Sequence, residues 1–273
     1  MIYIETLEGT RYNTKSIGII PLNFILDSPS PIHFTEQIEG RSGYLDLGTA
    51  FEGRKMRVKF FIQAVDFHDY SLLRNEVFKL FYSQMPFYLI NTQEKGKRWL
   101  VKTAASYTPE RLSLVAGTFE IEFVSSSPYA ESVGTTMDPL TFDSDKWQFG
   151  QNLGFDIGTE AKYAHSTTTF RIYNASDIDI DPRELPLLIK YQGASNNLKI
   201  TNTTTGDVWQ YSGTSNTNDT IKLEGIRSLK NSLTIFGDTN RKLITLKKGW
   251  NDFTLSGTSG SFLISFDFRF YYI

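Results

Sequence analysis

Phe262-Leu263-Ile264-Ser265-Phe266-Asp267-Phe268-Arg269-Phe270-Tyr271-Tyr272-Ile273 reads as a β-strand with one apolar face. Phe262, Ile264, Phe266, Phe268, Phe270 and Tyr272 fall on every second position, and a period of two places all six on one side of an extended chain. The other side, with Ser265, Asp267, Arg269 and Tyr271, is mixed and partly wet. A strand this apolar has to be paired and covered, because as an open edge it would seed aggregation. The segment therefore predicts a β-sheet finished by these residues. It favours an assembled, structural β protein over an enzyme built around a loop-borne site.

Composition points the same way. At 273 residues the chain is long enough for one large domain or two ordinary ones, and its 21 Phe and 14 Tyr supply ample core of a kind that suits strands. A formal net charge of −2 gives no global field toward nucleic acid or an anionic membrane. The chain has no cysteine, which excludes a disulfide scaffold, thiolate metal ligands and cysteine catalysis, and fits folding in a reducing cytoplasm. Met1-Ile2-Tyr3-Ile4-Glu5 lacks the basic-then-apolar pattern of a signal peptide, and no run reaches the roughly 20 apolar residues of a membrane helix. A soluble, mainly β protein is expected.

The two halves differ in texture. Met56, Val58, Phe60, Ile62 and Ala64 alternate with polar residues and predict a half-buried strand. Asp66 or Asp69 can cap the one clear helix, in which Tyr70, Leu73, Val77, Leu80 and Phe81 recur at helical spacing to about Tyr82, before Pro86. Phe87–Asn91 and Arg98–Thr103 predict a hairpin with the polar, basic tip 92–97. Phe119, Ile121 and Phe123 close this part before Ser125-Ser126-Ser127-Pro128-Tyr129. The expected division is a first domain over 1–130, a linker over 131–145 and a second domain over 146–273. In the second half, short runs such as Leu187–Tyr191, Leu198–Thr201, Val208–Tyr211 and Thr220–Leu223 alternate with Gly-, Asn- and Asp-rich turns, predicting a sandwich or jelly roll.

Little in the chain points to catalysis. His33, His68 and His165 stand far apart and outside any metal or triad spacing. No Gly-x-Ser-x-Gly, Walker or Rossmann fingerprint is present. Asp177, Asp179 and Asp181 alternate and invite a calcium reading, but Pro182 and Leu188 occupy positions where an EF-hand needs Gly and Glu. A glycan-processing reading of Asp177, Asp179 and Glu184 fails because the acids cluster in one stretch and do not face each other. The expectation is no enzyme, no cofactor and no metal. Two surface candidates remain. Lys95, Lys97, Arg98 and Trp99 form the basic hairpin, read as a subunit-contact arm. Trp209 and Tyr211, in an alternating strand, are candidates for stacking on a glycan, with core burial as the alternative; Trp147 and Trp250 lie in the same half.

Ile200-Thr201-Asn202-Thr203-Thr204-Thr205-Gly206-Asp207, Asp219–Gly225, Leu246-Lys247-Lys248-Gly249-Trp250-Asn251-Asp252-Phe253 and Phe266–Tyr272 together resemble the C-terminal domain of the distal tail (Dit) proteins of siphophages infecting Gram-positive bacteria. The first half is similar to the N-terminal domain of that family in its Arg41-Ser42-Gly43 turn, its Arg57-to-Ala64 strand, its single helix and its closing Phe119-to-Tyr129 segment. The resemblance implies an N-terminal sandwich or barrel-like domain with one helix and an extended hairpin, and a galectin-like or carbohydrate-module-like second domain. It implies a structural hub at the virion tail tip, assembled in the host cytoplasm as a homo-hexameric ring, single or as back-to-back rings, around the DNA exit channel. Implied partners are the major tail tube protein, a tail-associated lysin or fibre hub and receptor-binding proteins, with no membrane and no sequence-specific nucleic acid. The alternative is an adhesion module that binds host cell-wall glycans.

Overall fold

The computed structural model describes residues 1–82, 84–141, 145–154 and 160–273. Its chain separates into two compact units, residues 1–130 with Ile273, and residues 131–272. The architecture is mainly β, with one α-helix among the described residues and no closed barrel.

The first unit contains β1 (Ile2–Glu5), β2 (Arg11–Asn13), β3 (Ile19–Leu26), β4 (Pro31–Glu36), β5 (Leu45–Phe51), β6 (Arg54–Gln63), α1 (Phe67–Leu80), β7 (Phe87–Asn91), β8 (Lys97–Thr103), β9 (Glu110–Arg111) and β10 (Ala116–Ser125). Its main sheet runs β2-β1-β7-β8-β10-β6-β3, with β9 on β10. In β6 the alternation works as expected, with Met56, Val58, Phe60 and Ile62 fully buried while Lys55, Arg57 and Lys59 face water. The helix starts where Asp66 caps it, its Oδ1 accepting from the backbone N–H of His68 at 2.8 Å and of Asp69 at 2.9 Å. Tyr70 and Val77 turn inward, and Phe81, just past the helix end, meets Phe60 (5.3 Å between centroids), Phe123 (5.7 Å) and Phe87 (6.5 Å). Helix and sheet are joined through this aromatic cluster.

The second unit opens with β11 (Ala130–Ser132), whose first residue falls in the first unit, and continues with β12 (Ala164–His165), β13 (Thr169–Asn174), β14 (Leu187–Asn202), β15 (Asp207–Gln210), β16 (Thr214–Ser215), β17 (Thr220–Glu224), β18 (Arg227–Lys230), β19 (Leu233–Thr234), β20 (Gly249–Phe268) and β21 (Tyr271–Tyr272). The sheet order is β12-β20-β14-β17-β18-β19, with β13 on β20 and both β15 and β16 on β14. The separate runs expected at Leu187–Tyr191 and Leu198–Thr201 are one strand of 16 residues. It stays paired with β20 through register shifts after Gly193 and Ser195, so the ladder bends where the turn-like composition predicted an end. Gly257 lies at such a bend with φ 79°, and a Cβ there would meet the carbonyl oxygens of Asn196 and Asn197 at 2.5 Å.

The closing segment is core for most of its length. Ile264, Phe266, Phe268, Phe270 and Tyr272 are buried, whereas Phe262 is half-buried against Tyr191. Tyr271, expected on the wet face, is buried as well. The reason is local: β20 ends at Phe268, and Phe270 N–H and Tyr271 N–H then donate to the hydroxyls of Ser132 and Ser176. Of the linker expected at 131–145, residues 142–144 lie outside the described residues. Ser132 N–H donates to Phe270 O (2.8 Å) and the Thr136 hydroxyl to Phe266 O (2.7 Å), which ties this stretch to the last strands.

Asp219 holds the turn before β17. One carboxylate oxygen accepts from Asn216 N–H (2.8 Å), the other from the Asn231 amide (2.7 Å), and Lys230 sits at 3.2 Å. These donors hold its carboxyl down to about 2, the Asn216 backbone bond contributing most. Because the folded-state value lies below the unfolded one of about 3.9, the contribution is fully present above about pH 4 and fades as pH falls toward 2. Asp219→Asn is therefore expected to show a flatter loss of urea resistance between pH 4 and 2 than the parent chain. Parallel curves would rule this out.

Candidate functional site

The part of the first unit least explained by its own core is the ribbon β4–β5. Its strands pair only with each other, every residue of both is exposed, and the base is closed by Glu52 N–H donating to Ser30 O at 2.9 Å. Residues directly opposite in an antiparallel ladder share a face. The register pairs Ile32 with Ala50, Phe34 with Gly48 and Glu36 with Leu45, which places Ile32, Phe34, Leu45 and Ala50 together on one face. His33 and Thr49, hydrogen-bonded at 2.9 Å, share the other face with Thr35 and Asp46. Leu47 is the extra residue of a bulge, fixed by Gly48 at φ 120° and by Asp46 accepting from Gly48 N–H at 2.9 Å. Ile32, Phe34, Leu45 and Leu47 are 38–58 % exposed. An isolated two-stranded ribbon is marginal in water, and one with an uncovered apolar face requires a partner surface.

A second uncovered apolar surface lies in the same unit. Ile4, Leu7, Tyr12, Leu73, Leu80 and Met85 are among the residues lining a groove of about 620 Å³ between the β1–β2 hairpin, α1 and the segment entering β7. Glu8 and the Glu76–Lys79 ion pair (2.7 Å) are the charged groups at this groove.

The basic hairpin forms as expected, with β7 and β8 joined by a 3-10 turn over Thr92–Glu94. Its candidate contact residues divide. Lys95 is exposed and Lys97 pairs with Glu94 at 3.1 Å. Arg98 and Trp99 are not surface groups. Arg98 is buried, its guanidinium 3.6 Å from the Tyr88 ring centroid and 2.9 Å from Glu5, which also pairs with Arg11. Trp99 is buried with the Arg54 guanidinium 5.5 Å from its ring centroid. Strand alternation could not decide this, because β8 buries both of these neighbouring positions.

Trp209 and Tyr211 likewise offer no stacking face. Trp209 is 1 % exposed, its indole N–H donating to the Ser228 hydroxyl at 3.2 Å, and Tyr211 is buried. Trp147 is buried against Phe270. Trp250 keeps partial exposure, but Arg171 lies 4.7 Å from its ring centroid and Tyr173 5.0 Å away. Asp177 pairs with Lys248 at 3.6 Å, Asp179 with Lys247 at 3.7 Å, and Asp181 with Arg183. Each acid is thus matched to its own cation, and among the described residues no three potential ligands converge on a metal position. Sequence reasoning missed the ribbon. Its signal was the apolar alternation of Ile32–Phe34 and Leu45–Leu47 on either side of the Gly40-Arg41-Ser42-Gly43 turn.

Residues 10–125, which include the ribbon, match the family model of the phage tail protein RIFT-related domain. The crystal structure of SPP1 Dit, described as a paradigm of the hub adsorption apparatus in Gram-positive infecting phages, superposes on 99 % of this chain and 99 % of its own, with a TM-score of 0.70 and 10 % identity. The chain has the Dit fold. Chains of the phage p2 baseplate in its activated conformation, with Sr and with Ca, match at TM-scores of 0.48 and 0.46 and at 10 % and 9 % identity, over 98 % and 97 % of this chain and 97 % of theirs. No curated protein sequence matches it. The residues that match the phage tail domain model lie within the first unit, together with the uncovered ribbon.

Proposed function

We propose that the chain is a distal tail hub: its first unit assembles with further copies into a ring around the DNA exit channel of a long phage tail. The uncovered apolar face of the ribbon, on the unit that carries the phage tail domain, is the observation that carries this reading. A ribbon that must be covered, next to a body with a different surface, favours head-to-tail contacts between copies. Such contacts generate a closed ring when the rotation closes. The resemblance to Dit proteins supplies the number six, the tail tube protein on one side and a tail-associated lysin or fibre hub on the other. It also supplies receptor-binding proteins on the second unit, and a location at the virion tail tip after assembly in the host cytoplasm. The adhesion alternative loses its basis at Trp209 and Tyr211, whose rings are buried.

Mass photometry and negative-stain imaging of the purified protein test the reading. Rings with a central hole are expected, and replacing residues 31–51 by a short Gly-Ser turn is expected to leave monomers that still unfold cooperatively on heating. A parent chain that stays monomeric at high concentration, with and without tail tube protein, would defeat it.

A further inference from the structure

We infer that the apolar face of the ribbon in one copy is received by the groove between the β1–β2 hairpin and α1 of the next copy. This rests on the ring reading above and specifies the contact that would close the ring. Both surfaces are apolar, both lie in the first unit, and neither is covered by the chain's own core. They are different surfaces, so one copy cannot satisfy another symmetrically, and each copy donates a ribbon and accepts one. The ribbon strands extend about 20 Å from their base, at roughly 3.3 Å per residue, which suits an inserted arm. The groove, at about 620 Å³, is in the size range that encloses most of a drug-sized ligand and has room for several apolar side chains.

Charge agrees with this pairing. Arg41, in the turn at the ribbon tip, and Glu8, at the groove, make no ion pair among the described residues. They are of opposite sign. The tip acids Glu36 and Glu39 correspond to Lys79 at the same groove, which is exposed while it pairs with Glu76. Charges at the rim of a contact mainly set register and the rate of encounter, and the apolar face supplies most of the affinity.

Because the chain contains no cysteine, introduced thiols report one contact each. Phe34→Cys and Leu7→Cys, both at exposed positions, are made as separate proteins and mixed before oxidation. A disulfide needs Cα atoms within about 7 Å, so Leu47→Cys with Met85→Cys provides a second pair. The expected result is a cross-linked dimer in the mixtures, a ladder of linked copies when both thiols are on one chain, and no product for Phe34→Cys mixed with Leu72→Cys, a helix position outside the groove. Rings that form on grids without either cross-link would overturn the groove contact and leave the hub reading standing. Loss of both rings and cross-links would remove the two together. Arg41→Glu or Glu8→Arg alone is expected to raise the half-assembly concentration roughly two- to fivefold, with recovery in the double reversal. Equal effects in singles and double would count against the pairing.

Discussion

Trp209→Ala is expected to lower the unfolding midpoint of the second unit by roughly 10 °C or more. The indole is fully buried on β15, paired across to Ile200 of β14, and its N–H is satisfied by Ser228. Removing a buried Trp costs about 3–5 kcal/mol through lost transfer energy and the cavity left behind. The Ser228 hydroxyl loses its indole partner at the same time. For a unit of this size each kcal/mol moves the midpoint by about 3 °C. Calorimetry with near-UV circular dichroism would check the value, and a shift of only a few degrees would mean that the site collapses or that the ring packs less tightly than its burial indicates. The prediction also bears on interpretation: lost glycan binding in such a variant would report unfolding and not a missing stacking platform.

Phe60→Ala should have a comparable effect in the first unit. Phe60 is fully buried at the centre of β6, with ring centroids 5.3 Å from both Phe81, just beyond α1, and Phe119 on β10. Truncation removes the ring that links helix to sheet, again at about 3–5 kcal/mol. Hydrogen exchange is expected to speed up across β6, β10 and α1 together, since these elements share the cluster. Exchange that accelerates in β6 alone would contradict that coupling. Phe34→Ala provides the contrast. On the exposed ribbon it should change stability by no more than about 0.5 kcal/mol while weakening assembly. The same residue type thus sits in two environments, buried at Phe60 and exposed at Phe34, and the two truncations are expected to differ accordingly.

Much of the fold was legible because local chemistry dictated it. Asp66 has a side-chain oxygen at the right distance from two free N–H groups, so it caps α1 wherever the helix packs. The β6 alternation survives because one face of that strand is buried along its whole length. The failures came where a residue's fate depends on distant chain. Tyr271 is buried because Ser176 captures its N–H from 95 positions away, which no period of two encodes. Arg98 is buried because Glu5, across the sheet, neutralises it. Trp209 and Trp250 are the same residue on similar alternating runs, yet only register decides which one turns inward. The candidate contact surfaces were half legible. Ile32, Phe34, Leu45 and Leu47 are plainly apolar in the sequence, but an apolar ribbon and a core hairpin look alike until the sheet is closed without it. The groove was not legible, since its lining comes from the β1–β2 hairpin, the turn after β2, the helix and the entry to β7.

The pairing of β20 has a kinetic consequence. This strand contacts β12, β13 and β14 along the ladder, so Phe253 sits opposite Phe170 and Ile264 opposite Tyr191. Strands made early in synthesis therefore lack their central partner until residues 249–268 have been made. Closure across such sequence separations is entropically slow, and the waiting strands present apolar edges in the meantime. The first unit, apart from Ile273, lies within residues 1–130, so most of it can form while the second still waits. On the ring reading, the surfaces of the first unit are therefore made before the second unit can close its central strand.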